Sequence, residues 1–170
     1  VVITKKIQIP QFPKLVTPIL LGCELEYNCN PEQAIKTRLQ LLQHLESFVI
    51  FKADTTLDAG GFEVVTSPAE MNIHQKYFKP IFENFPKTLR TGEYTGMHIH
   101  LDRSILSPLM LGRMTDFMHN PANKQFIELV GERVLNSYCQ QEPRSFGYVL
   151  QTNRGNRGVT LNLCKDPTVE

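Results

Sequence analysis

No stretch of eighteen or more apolar residues occurs in the 170-residue chain, which argues against a membrane-spanning helix. Net charge is nearly absent: 18 Lys and Arg face 17 Asp and Glu, a formal +1, so a nucleic-acid partner held by bulk charge is not expected. Any anion site must be local. Cys23, Cys29, Cys139 and Cys164 contain no CxxC pair, the usual zinc spacing, and a domain of this size does not need disulfides. Free thiols in a reducing cytoplasm are expected. The apolar stretch Ile19 to Cys23 is too short and too far in for a signal peptide, and neither internal repeats nor low-complexity tracts occur. What is present is 41% hydrophobic and 21% charged residues, the composition of one globular domain with a single core.

Residues 1–17, with Pro10 and Pro13 and no sustained period, read as an N-terminal arm, and 18–170 as the domain. From Ile19 to Tyr27 the residues alternate, with Cys23, Leu25 and Tyr27 on one face and Glu24 and Glu26 on the other, which predicts a strand. Asn30-Pro31-Glu32-Gln33 is a helix start, and Ile35, Leu39, Leu42 and Leu45 give the apolar face of a helix over 31–47. Phe48 to Lys52 and Phe62 to Thr66 read as a hairpin. A helix from Met71 to Phe85 is expected to kink or restart at Pro80, and Gly92 to Gly96 to form a loop. Met97, Ile99 and Leu101 alternate with His98, His100 and Asp102 in a further strand, the apolar three expected to hold it to the core. Ser107-Pro108 and Asn120-Pro121 start two more helices, the second running towards Tyr138. Gln140 to Arg157 is irregular, Val159 to Cys164 is a strand, and Thr168 to Glu170 begins another. This order predicts an α+β domain with a mainly antiparallel sheet. Beginning at Val1 without an initiator Met and ending on a strand start, the chain reads as a fragment or a processed product.

Glu24 and Glu26, two apart on a strand, project from one face about 7 Å apart, a spacing suited to hard cations. A solvated edge strand is the alternative, countered by the flanking Ile19-Leu20-Leu21 and Leu25, which suggest a central strand. Glu63 shares a strand face with Val65 and needs a partner, either a cation or an arginine. His98, His100 and Asp102 line another face, suited to a metal, a phosphate or a developing charge. Two structural histidines are the competing explanation. His44, His74 and His119 read as surface residues or helix-end partners. Arg144, Arg154 and Arg157, in a segment with Gly147 and Gly155, suit phosphate or carboxylate binding, and Arg133 suits an anion clamp.

Taken in order, Gly22-Cys23-Glu24-Leu25-Glu26, Asp54-Thr55-Thr56-Leu57 with Gly61 to Pro68, Thr95 to Leu101, Arg133 to Cys139, and Leu161-Asn162-Leu163 before Thr168-Val169-Glu170 resemble the amidoligase family. These are carboxylate–amine ligases related in fold to glutamine synthetase. The resemblance covers roughly 19–170 and implies a curved antiparallel sheet with helices on one face. It implies an ATP- and Mg²⁺-dependent ligase forming an amide through an acyl phosphate, from amino-acid or peptide carboxylate and amine substrates. Residue by residue, it gives Glu24, Glu26, Glu63 and Glu170 as metal ligands and His98 and His100 as the family's G-x-H-x-H histidines. Arg133, Arg154 and Arg157 would hold the γ-phosphate or substrate carboxylate, with Arg144 beside the nucleotide. Two departures stand out: Asp54-Thr55-Thr56-Leu57 replaces the family's Asp-Gly-Ser-Leu, and the sequence stops at Glu170 where the family's last motif continues into an aromatic residue and an arginine. A second segment or chain completing the site is therefore expected. The competing readings are a non-catalytic binding module on this fold and a zinc hydrolase using His98, His100 and Asp102.

Overall fold

A computed structural model describes residues 18–45, 48–83, 87–92, 94–131, 134–135, 141, 161 and 168–169. They fall into two compact units, Pro18–Leu101 and the residues from Asp102 onward. The first contains β1 (Leu21–Cys29), α1 (Pro31–Leu45), β2 (Val49–Lys52), β3 (Phe62–Thr66), α2 (Met71–Glu83), β4 (Leu89–Arg90) and β5 (Met97–Asp102, whose last residue opens the second unit). The second contains α3 (Pro108–His119), α4 (Lys124–Val130) and the short β6 (Thr168–Val169). The expected α+β class with an antiparallel sheet is observed. Among the described residues no helix is long and apolar enough to cross a membrane.

In the first unit the strand order is β2-β3-β1-β5, each neighbour antiparallel, and β4 pairs with the end of β1. Register then assigns the faces, because directly opposed residues project to the same side. Leu25 opposes Val64 and Tyr27 opposes Phe62, so one face of β1 and β3 is apolar. Against it lie Ala34, Leu41 and Leu45 of α1 and Phe78 of α2, all in one buried cluster. Phe62, fully buried, stands at its centre, 5.5 Å from the Phe51 ring and 6.5 Å from Tyr27, with the Arg38 guanidinium 4.8 Å above it.

Local signals explain the joints. Asn30 caps α1 by accepting from the Glu32 N–H at 3.0 Å, with Pro31 at the first helical position. Gly60 has φ 91°, and a Cβ there would stand 2.6 Å from both the Cys29 carbonyl oxygen and the Pro31 nitrogen, so the β2–β3 loop can lie on the β1–α1 joint only with glycine. In the second unit Ser107 caps α3 by accepting from the Met110 N–H at 3.3 Å, as its Ser-Pro start predicts.

Several expectations are corrected. Helix α1, described over Pro31–Leu45, buries Ala34, Thr37, Leu41 and Leu45, leaving Ile35 73% and Leu39 57% exposed; the small Ala34 and Thr37 let this face approach the sheet. Met97 and Ile99 are also exposed, at 56% and 41%, and do not hold β5 to the core. Helix α2 continues through Pro80 to Glu83, and the two-residue β4 is an addition. Asn120-Pro121 opens a short 3-10 turn, Pro121–Asn123, before α4, which stops at Val130. His74 and His119 are buried rather than superficial. His74 packs flat on Phe78 with ring centroids 6.0 Å apart, and its Nε2 lies 2.7 Å from the Leu21 carbonyl oxygen. The expected arm over 1–17, the segment 142–157 and nearly all of the Val159–Cys164 strand lie outside the described residues.

Candidate functional site

The sheet face opposite the helices is built by the same register. Glu24 opposes His98 across β1 and β5, Glu26 opposes Glu63 across β1 and β3, Gly22 opposes His100, and Lys52 opposes Glu63 across β2 and β3. Alternation on four strands therefore gathers three glutamates, two histidines and one lysine. None is long-range in origin: once Leu25, Phe62 and Val64 turn inward, their neighbours must turn outward.

Side-chain geometry divides this face in two. His100 Nε2 lies 3.5 Å from Glu24 Oε2, and Lys52 Nζ lies 3.8 Å from Glu24 Oε1, so each Glu24 oxygen faces a different cationic or imidazole group. His98 Nε2 lies 3.4 Å from Glu26 Oε1. Glu26 also converges with Glu63 and Asp54: one carboxylate oxygen from each lies within 4.8 Å of the others. Asp54 arrives from the loop after β2, where its Oδ1 accepts from both the backbone N–H and the hydroxyl of Thr56 at 2.8 Å. Gly96 borders the group; a Cβ there would come 3.4 Å from Glu26 Oε2 and 3.7 Å from His98 Nε2.

Electrostatics follow from this crowding. Burial pushes the Glu63 carboxyl above its ordinary value, the charge of Glu24 pushes it further, and a hydrogen bond with Asp54 adds to both. A proton shared between Glu63 and Asp54 would relieve the repulsion, as would a divalent cation. Oxygen donors without thiolate or imidazole suit Mg²⁺, Ca²⁺ or Mn²⁺ and not a soft metal, so the residues fit the hard cation that the resemblance implies.

Of the residues singled out by sequence, Glu24, Glu26, Glu63, His98 and His100 share this face. The group that converges among the described residues is Glu26, Glu63 and Asp54. Asp102 ends β5, where its carboxylate caps the 3-10 turn Arg103–Ile105 by accepting from the Ser104 N–H at 2.8 Å. Hydrogen bonds with Ser104 hold its carboxyl below the ordinary value. Arg133, Arg144, Arg154, Arg157 and Glu170 lie outside the described residues. Two contributors went unassigned from sequence as ligands or charges of the site. Lys52 could have been found by extending the hairpin alternation from Glu63 outward, and Asp54 by the Asp-x-Thr turn signal beside it.

Compared with known proteins, the chain matches no family model, no curated protein and no solved structure.

Proposed function

We propose that the chain is an ATP- and Mg²⁺-dependent carboxylate–amine ligase of the amidoligase kind, with a glutamine synthetase-like sheet and a cytoplasmic setting. The observation that carries this reading is the single sheet face on which Glu24, Glu26 and Glu63 stand with His98 and His100. Such a face offers hard oxygen donors beside imidazoles that can hold phosphate oxygens. Glu26, Asp54 and Glu63 would hold the magnesium, with Glu24 alongside; the ion supplies neutralisation of phosphate charge. His98 and His100 orient the nucleotide phosphates. In the reaction a substrate carboxylate oxygen attacks the γ-phosphorus and ADP leaves. The amine nitrogen then attacks the acyl-phosphate carbon and phosphate departs. Arg133, Arg154 and Arg157 as anion clamps, Arg144 beside the nucleotide and Glu170 as a ligand belong to this proposal through the resemblance alone, as does a segment or chain completing the site.

The zinc-hydrolase alternative gains nothing from the geometry: the converging trio lacks a histidine, and Asp102 is engaged by Ser104. Calorimetry of ATP with and without Mg²⁺, paired with a phosphate-release assay on mixed amino acids, tests the ligase. Expected are Mg²⁺-dependent nucleotide binding, lost in Glu63→Gln and weakened in Glu24→Gln, and phosphate release requiring both a carboxylate and an amine. Binding that ignores EDTA and survives Glu63→Gln would reject the site. Metal-dependent binding without turnover would select the non-catalytic binding module.

A further inference from the structure

Lys52 is absorbed by neither the metal trio nor the arginines expected to hold anions. Strand β2 places it outward, opposite Glu63, and its Nζ reaches 3.8 Å from Glu24 Oε1 while its side chain stays 48% exposed. The other Glu24 oxygen faces His100 at 3.5 Å, and Glu24 itself is only 16% exposed. Glu24 is thus a largely enclosed carboxylate paired, on the side away from His100, with a half-exposed ammonium on a four-carbon stem. Its same-face neighbour on β1 is Glu26, and Val65 stands opposite it on β3, so a displaced ammonium moves to solvent.

We infer that Lys52 is the resident counter-ion of Glu24, a positioning residue that withholds this carboxylate from a divalent cation and is released when the cation loads. The inference rests on the ligase reading of this face and adds a control on how its cation site fills. An ammonium carries one charge and binds a carboxylate through exposed, screened contacts. A divalent ion, held by several carboxylates, would displace it without a change of fold. Once released, the ammonium stands at the rim of the carboxylate face, free to take a phosphate or carboxylate oxygen of a substrate.

Calorimetric titration of the 170-residue chain with Mn²⁺ tests the withholding. Lys52→Met should bind Mn²⁺ about two- to fivefold more tightly than the parent, the range set by an exposed ion pair, while Lys52→Arg should stay near the parent value. Equal melting temperatures in the three proteins confirm that folding is unchanged. Amine acylation read at Lys52 by mass spectrometry tests the release. Labelling should accelerate on adding Mg²⁺ to the parent and should already be fast without metal in Glu24→Gln. Mn²⁺ affinity unaltered in Lys52→Met, or Lys52 labelling that ignores both Mg²⁺ and the Glu24 substitution, overturns the inference and leaves the ligase reading standing. Absence of Mn²⁺ binding in the parent and every variant overturns both.

Discussion

Paired alanine substitutions decide which face of α1 meets the sheet. Leu41 is 1% exposed and Ile35 73% exposed on the same helix. Truncating a buried leucine removes its transfer energy and leaves a partly unfilled cavity, together about 2–5 kcal/mol. Ile35 has little burial to lose, and replacing a β-branched residue by alanine in a helix returns roughly 0.4 kcal/mol of propensity, so Ile35→Ala should be neutral or slightly stabilising. With a urea slope of roughly 2 kcal/mol per molar, Leu41→Ala should lower the midpoint by about 1–2.5 M. Urea melts followed by far-ultraviolet circular dichroism measure both. A larger loss in Ile35→Ala than in Leu41→Ala would mean that α1 buries the Ile35, Leu39 and Leu42 stripe, and would refute the packing of Ala34, Leu41 and Leu45 into the core.

The raised Glu63 carboxyl gives a stability term that is complete below the ordinary glutamate value of 4.5 and lost as pH rises through the higher folded value, so Glu63→Gln should gain melting temperature over the parent between pH 5 and neutrality. A parent that gains on the variant over that range would contradict the crowding. Millimolar Mg²⁺ should raise the parent's melting temperature, and this rise should vanish in Glu26→Gln, Asp54→Asn and Glu63→Gln; an equal rise in Asp54→Asn would remove Asp54 from the trio. Gly60→Ala should cost about 1–3 kcal/mol for the positive φ alone, with further loss from overlap with the Cys29 and Pro31 backbone, and an unchanged melting temperature would refute that joint.

How much was legible from the sequence depended on whether a residue's neighbours lay on its own strand. Period-two alternation is a property of the strand itself, so the outward Glu24, Glu26, Glu63, His98 and His100 were readable before any partner strand was known. The antiparallel class was readable too, because a hairpin pairs its own strands. Helix α1 carries two competing apolar stripes, Ile35-Leu39-Leu42 and Ala34-Leu41-Leu45, and periodicity favours the larger residues. Packing chose the stripe with the smaller ones, since a helix on a sheet approaches more closely over Ala34 and Thr37. The β5 face misled for a related reason. Alternation shows that Met97 and Ile99 share a side, but not that anything covers that side.

Asp54 marks the boundary between these two kinds of information. As part of a turn it has no period, and its carboxylate reaches Glu26 and Glu63 only because the loop after β2 returns over β1, a path set by Gly60 at φ 91° and by the Asp58 N–H donating to Asn28 Oδ1 at 3.0 Å. Strand patterning can therefore nominate which carboxylates face outward, but selecting those that converge requires the loop. Glu24, Glu26 and Glu63, expected as ligands together with Glu170, are strand residues, whereas the group that converges among the described residues, Glu26, Asp54 and Glu63, includes a loop residue. Glu24, outside the converging group, stands instead against His100 and Lys52.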